Sequence, residues 1–231
     1  VNLSDHPNGS SFALSDSGST QYPPPPISRA VGKAIAAPAP LLSQAELSQL
    51  LDVAALITET FYANDHWLGW LSPLIRLGIH QDLRQRLLNQ LDNTAYPHYA
   101  CLIATRPAPL PTLNLCPAKP TLLGTVEISL RSIPELGLSD FACPYLSNLA
   151  IGNPHRRQGI ALQLLKRSEE TIRNWGFREI YLHVLENNRA ALDLYRKLGY
   201  HIRRSDNHWG NLLFGQPRQL LMHKALTSRA N

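Results

Sequence analysis

The sequence predicts an α/β (α+β) fold, a mixed central sheet flanked by helices. Three observations predict it. Apolar residues recur at helical spacing between residues 43 and 91; the pattern then changes to strand-like runs, YACLIAT and LLGTVEISL; and the last third alternates strand, helix, strand, helix, strand, strand. At 231 residues the chain suits one ordinary domain with appendages, or two small ones. It is long enough to bury a core without disulfides or metals. A formal net charge of +5 favours anionic ligands in general. No basic face interleaved with aromatics is seen, so nucleic acid is not an expected partner.

Cys101, Cys116 and Cys143 are far apart and odd in number, without C-x-x-C spacing, so free thiols are expected and no metal site. No apolar run approaches the roughly 18 residues of a membrane span, and no membrane partner is expected. The opening VNLSDHPNGSSFALSDSGST carries acidic residues and lacks the basic-then-apolar order of a secretory signal. A cytoplasmic protein is therefore expected.

Taken in order, residues 1–26 are rich in Ser, Asp, Gly and Pro and end in YPPPPIS, a disordered tail with a polyproline II spacer. The folded domain is expected over residues 27–231, with ISRAVGKAIA as a short first strand. Ser43 opens a helix in which Leu47, Leu50, Leu51, Ala54 and Ile57 share a face, Ser43 and Glu46 forming a capping box. WLGWLSPLIRLGIHQDLRQRLLNQL is a second helix broken by Pro73 and Gly78. Its Trp67 and Trp70 either line a cleft or pack the core. YACLIAT and LLGTVEISL are strands separated by a proline-studded connection, RPAPLPTLNLCPAKP. RSIPELGLSDFACP is a loop and YLSNLAI the third strand. A helix then carries Ile160, Ala161, Leu164, Leu165, Ser168, Ile172 and Trp175 on one side and stops at Gly176. EIYLHVL is a strand, Asn188 caps a short helix ended by Gly199, and YHIRR and RQLLMHKAL are the closing strands.

NPHRRQGIALQLL, from Asn153 to Leu165, places two arginines, a glutamine and a glycine directly before a helix. Unpaired N–H groups at a helix start, with the aligned peptide dipoles behind them, make an anion site. Gly159 leaves out a side chain where a diphosphate would approach, and Ala161 is small. The spacing is neither that of a Walker loop nor G-x-G-x-x-G. Arg156-Arg157-Gln158-Gly159-Ile160-Ala161 resembles the Arg/Gln-x-x-Gly-x-Gly/Ala signature of the GNAT superfamily of N-acetyltransferases. LHVLENNRAALDLYRKLGY, from Leu182 to Tyr200, resembles that family's second signature through Asn188, Ala191, Leu194, Tyr195, Gly199 and Tyr200. The resemblance covers residues 122–226 and is closest to plastid and cyanobacterial-type protein acetyltransferases.

The resemblance implies a sheet whose fourth and fifth strands splay apart around acetyl-CoA. Main-chain groups of Leu149, Ala150 and Ile151 would pair with the pantetheine arm. The N–H groups of Arg157, Gln158, Gly159, Ile160, Ala161 and Leu162 would hold the pyrophosphate, and Asn188 would bond the cofactor near the splay, serve as a helix cap, or both. It implies Tyr195 as the acid that protonates the CoA sulfur, since a phenol of pKa about 10 suits a thiolate of similar basicity. The alternative for Tyr195 is a buried aromatic on the core face of its helix. Alternation in EIYLHVL sets Tyr181, His183 and Leu185 on one face and Ile180, Leu182 and Val184 on the other. His183 falls where several members of the superfamily place a base, or it is a strand histidine bonded to neighbouring backbone. Glu127 and Glu186 are the other candidates for the base.

Cys143 and Cys116 precede prolines in loops, with nothing to lower a thiol pKa, so a cysteine nucleophile is not expected. The expected acceptor is a protein or peptide amine, an N-terminal α-amine or a lysine. A small (aryl)alkylamine is the second reading, in which Trp209 and Phe214 of SDNHWGNLLFGQPRQ would contact it. A non-catalytic CoA-sensing module is the third. In a photosynthetic eukaryote the expected location would be the plastid stroma.

Overall fold

The structure, a computed structural model, describes residues 38–62, 71–91, 98–108, 119–134, 138–206 and 217–226. The expected tail, the ISRAVGKAIA segment, Trp67, Trp70, Cys116, Trp209 and Phe214 lie outside the described residues. From Pro38 onward the chain forms one unit. Its elements are β1 (Leu41–Gln44), α1 (Leu50–Tyr62), α2 (Ser72–Leu91), β2 (Tyr99–Arg106), β3 (Thr121–Ile133), β4 (Leu138–Ile151), α3 (Ile160–Asn174), β5 (Glu179–Leu185), α4 (Arg189–Lys197), β6 (His201–Asp206) and β7 (Gln219–Ala225). They build a seven-stranded sheet in the order β1-β2-β3-β4-β5-β7-β6. Every neighbouring pair is antiparallel except β4 and β5, which are parallel.

The sheet is covered on both faces. On one, α3 contributes Ile160, Leu164, Leu165 and Ile172, and α4 contributes Leu192 and Tyr195, against Leu102, Ile128, Ile180, Leu182 and Met222. On the other, α1 and α2 bury Val53, Ile57, Leu83 and Leu87 against Tyr99, Cys101 and Ile103. The buried carboxyl groups of the core, Glu127 and Glu169, have polar partners, as buried charge requires. Glu169 of α3 is 4% exposed and takes Lys224 of β7 at 2.7 Å and Arg173 at 3.4 Å.

Three expectations are corrected. Ser43 does not cap a helix; it lies in β1 opposite Ile103 of β2. The chain stays extended through Ala45, whose N–H donates to Cys101 O at 2.7 Å, and the turn into α1 instead closes with Gln49 Oε1 accepting from Glu46 N at 2.9 Å. Second, α2 is unbroken from Ser72 to Leu91. Pro73 occupies its first turn, where a missing N–H removes nothing the helix would use. Gly78 has no heavy atom within 4 Å of where a Cβ would stand, and its cost of about 1 kcal/mol relative to alanine is borne by the helix's length. Third, most of RSIPELGLSDFACP is strand rather than loop: β3 continues to Ile133 and β4 begins at Leu138, with Leu130↔Pro144 and Arg131↔Cys143 in register. Pro144 is tolerated because pairing with β5 starts only at the next residue, so β4 has a single neighbour there.

Candidate active site

The two parallel strands stay together for one short stretch. Tyr145↔Tyr181 and Leu146↔Leu182 are in register, and the β4–β5 pairing ends there. Beyond that point each strand is held only from its outer side: β4 by β3 as far as Gly124↔Ile151, β5 by β7 as far as Leu185↔Gln219. The remainder of β4, which includes Leu149, Ala150 and Ile151, and the remainder of β5, His183–Leu185, therefore border a gap in the sheet. A bulge marks its start. The β3–β4 register passes from Glu127↔Ser147 to Thr125↔Ala150, so Asn148 and Leu149 oppose Val126 alone. Asn148 has φ 51, and its Nδ2 donates to Glu127 Oε1. Asparagine is among the few residues with a side chain that take this left-handed conformation readily.

The turn expected to form an anion cradle lies at the end of β4. After Gly152, whose N–H donates to Leu123 O at 3.0 Å, the chain turns through Asn153–His155. Arg157 (φ 63) and Gly159 (φ 76) are left-handed, and α3 begins at Ile160. Gln163 N donates to Gly159 O at 3.1 Å, so the N–H groups of Ile160, Ala161 and Leu162 precede the helical ladder and have no acceptor within it. A Cβ built on Gly159 meets nothing within 4 Å. The glycine thus serves the left-handed turn, and the space above these amides stays open to a ligand. Gln158 is clamped to the scaffold: its Oε1 accepts from Arg106 Nη2 and its Nε2 donates to Pro154 O, both at 3.1 Å. Arg156 Nε donates to Ile151 O at 3.3 Å, so this arginine ties the cradle to the last residue of β4.

At the other end of the gap the structure brings together residues that are distant in sequence. His183 lies on the sheet face expected from the alternation, half-buried, with Nδ1 2.8 Å from the Tyr145 hydroxyl. That hydroxyl also accepts from His183 N at 3.2 Å. Tyr145 was not among the expected site residues. It stands directly after Pro144, at what looked like the end of a loop. Alternation with Ser147 gives its face, but only the β4–β5 register gives its partner. Tyr195 is 7% exposed; burial, and secondarily the nearby Tyr145, push its pKa above the ordinary phenol value. It therefore holds its proton. Asn188 Oδ1 accepts from Ala191 N at 3.2 Å, the expected cap of α4.

The alternative bases are placed differently. Glu186 is exposed in the turn after β5, its N–H bonded to Arg218 O at 2.8 Å. Glu127 has no exposed surface. Its Oε1 takes Asn148, Tyr99 Oη donates to Oε2 at 3.4 Å, and Arg86 Nη1 lies 4.0 Å from Oε2. Burial raises its pKa, while Asn148 and Arg86 oppose the rise. Cys143 is also pushed up, by burial and then by Glu179, and burial pushes Cys101 up to about 12. Neither is a poised thiolate.

The sheet thus opens between two parallel strands, with amides at a helix start beyond the opening that have no acceptor within the helix. The chain belongs to the acetyltransferase (GNAT) family, whose model matches residues 78–200. It is 31% identical over 145 residues to the chloroplastic GCN5-related N-acetyltransferase 10 of Arabidopsis thaliana, a match covering 60% of this chain and 54% of that protein. It thus spans about half the length of that relative. N-alpha-acetyltransferase 30 of Schizosaccharomyces pombe is 39% identical over 56 residues, 24% of this chain and 37% of that protein. Among solved structures, PaiA N-acetyltransferase from Thermoplasma acidophilum in complex with coenzyme A shares the fold, with a TM-score of 0.56 at 18% identity over 81% of this chain and 99% of that one. No helix among the described residues is long and apolar enough to cross a membrane.

The environment of Glu127 has a measurable consequence. A carboxyl whose folded pKa lies above its ordinary value of 4.5 contributes stability that is fully present below that value and is lost as pH rises through the folded pKa. Relative to Glu127→Gln, the wild type should lose stability as pH rises above the ordinary carboxyl range, with a limiting slope of about 1.4 kcal/mol per pH unit until the folded-state carboxyl has ionised. Urea denaturation at several pH values measures this. A difference that grows with pH would mean that Arg86 and Asn148 outweigh burial.

Proposed function

We propose that this protein transfers the acetyl group of acetyl-CoA to protein amines, N-terminal α-amines and lysine ε-amines, by direct attack of the amine. The observation that carries this reading is the gap between β4 and β5, with the Arg157–Leu162 amides beyond one end and the Tyr145–His183 pair at the other. The main chain of Leu149, Ala150 and Ile151 offers an extended pantetheine arm the bonds of an added strand. The cradle amides and the α3 dipole suit a pyrophosphate, and Asn188, its Oδ1 spent on the cap, has its amide N–H groups left for the ligand.

Acetyl-CoA, when bound, supplies a thioester-activated acetyl group. What the protein must do is hold the amine in line, take one proton and return another. The amine's proton passes to the Tyr145 hydroxyl as that hydroxyl gives its own to His183 Nδ1, along the 2.8 Å contact. Tyr195 donates from its hydroxyl to the departing sulfur. Burial keeps that proton on oxygen until the sulfur gains charge. A lysine needs the base more than an α-amine does, their ordinary pKa values being about 10.4 and about 8.

A protein acceptor is favoured by the relative named as an N-alpha-acetyltransferase. The chloroplastic relative favours the plastid stroma as the place of action. Incubation with labelled acetyl-CoA and a peptide library, followed by mass spectrometry, tests the acceptor. Labelled N-termini and lysines are expected, and label on small free amines alone would overturn the reading.

Three variants test the roles. Gly159→Glu should abolish acetyl-CoA binding in calorimetry, by filling the cradle with bulk and like charge; normal affinity would remove the cradle from the site. Tyr195→Phe should keep affinity within a few-fold and lower turnover by roughly 10²–10⁴. Turnover equal to wild type would take Tyr195 out of the mechanism. His183→Ala should depress lysine acetylation more than α-amine acetylation on matched peptides, whereas equal losses would make the histidine structural.

A further inference from the structure

A cavity of about 330 Å³ opens on the same sheet face as the Tyr145–His183 pair, between α2 and strands β2 and β3. Its walls include Asp82 and Arg86 of α2, Tyr99 of β2, and Ser129 and Arg131 of β3. Ser129 is the register partner of Tyr145, so its side chain stands one strand away on the same face. Arg131 lies between cavity and reaction centre, its guanidinium carbon 4.7 Å from the centre of the Tyr145 ring.

The polar groups here divide into those already satisfied and those not. Asp82 pairs with Arg86 at 2.9 Å. Glu127, beneath the cavity, is fully covered, and its oxygens are occupied by Asn148 and Tyr99. Neither acid is left to receive a cation. Ser129 is 8% exposed, and its Oγ has no hydrogen-bond partner among the described residues. An unmade bond at a buried hydroxyl costs about 1–3 kcal/mol, which a ligand reaching it would recover. Arg131 is exposed and has no carboxylate within ion-pair distance among the described residues. A hydroxyl able to donate and a guanidinium that can only donate converge on one volume, and their natural complement is a carboxylate.

From this arrangement we infer that the cavity is a specificity pocket for an acidic side chain on the residue that follows the acetylated N-terminal residue of a protein acceptor. The inference rests on the protein-acceptor reading above. With the α-amine at the Tyr145 hydroxyl, the next Cα lies one extended residue, about 3.3–3.6 Å, further along. An aspartate or glutamate there crosses the Tyr145 ring towards Arg131 and Ser129, on a strand about 4.8 Å away. Arg131 and Ser129 select the acceptor and take no part in the proton transfers.

The test uses peptides of one sequence with Glu, Gln or Lys at the second position, acetylated by the full chain. For the wild type, kcat/KM should be about tenfold higher for Glu than for Gln, as a charge-assisted hydrogen bond of this kind is worth, and lower again for Lys. The difference should appear in KM. Arg131→Gln and Ser129→Ala should each bring the Glu-to-Gln ratio towards one, and Arg131→Glu should invert the order so that Lys leads. Peptides acetylated equally whatever the second residue, or a Glu preference that survives Arg131→Glu, would overturn the pocket while leaving the protein-acceptor reading intact. If no peptide is acetylated while a small amine is, both fall.

Discussion

The site depends on one restriction in backbone pairing: β4 and β5 are sheet neighbours over Tyr145–Leu146 and Tyr181–Leu182 and then part. Strand edges left without partners are costly unless water or a ligand takes their N–H and C=O groups. Here the parting is built rather than frayed, because each strand is fixed from its far side. β5 stays in register with β7 to its last residue, and β4 with β3 through Ile151. Close contact reinforces the outer attachment. A Cβ on Gly124 would stand 2.5 Å from Ile151 Cδ1 and 3.0 Å from Ala150 O, so a side chain there would push Ile151 aside and crowd the β4 main chain at the point where β3 holds its open end. An extended ligand entering the gap finds two rigid edges already set apart.

The parting also divides the chemistry. Beyond the open end lie the amides of the α3 start, with partial positive charge and no side chain over Gly159. At the closed end lie the Tyr145 hydroxyl and the His183 imidazole, each one residue from the last parallel pair, Leu146↔Leu182. Tyr145 joins the two functions, since it makes the first β4–β5 register pair with Tyr181 and bonds His183 through its hydroxyl. Tyr195 approaches from α4 on the opposite face of the sheet, where Tyr200 packs against it at 5.6 Å between ring centres.

How much of this was legible in the sequence follows from how local each feature is. α3, β5, α4 and β7 were read correctly because each is specified by its own periodicity and by a local stop or cap: Gly176, Asn188, Gly199. The start of α3 after Gly159 was legible for the same reason. The errors fall where tertiary pairing overrides local preference. LLSQ carries a helix-start signal, but an edge position beside β2 was available to it. RSIPELGLSDFACP contains turn residues throughout, yet the β3–β4 hairpin extends across most of it. Tyr145 was missed because parallel register between strands separated by a helix leaves no trace in spacing. The bulge at Asn148 was hidden likewise, since its cause is a bond to Glu127 on another strand.

Glu127 shows why a perturbed carboxyl is not by itself a base. A raised pKa in the middle of an acetyl-transfer fold invites that assignment. A base must touch the proton it removes, directly or through one water. Glu127 has no exposed surface, and both its oxygens are already engaged. Freeing one would release Asn148 from the contact that accompanies its left-handed turn, and with it the bulge at which β4 leaves β5. The carboxylate best placed by pKa is thus committed to shaping the gap. His183, half-buried with its Nδ1 2.8 Å from the Tyr145 hydroxyl, stands instead where β5 leaves β4.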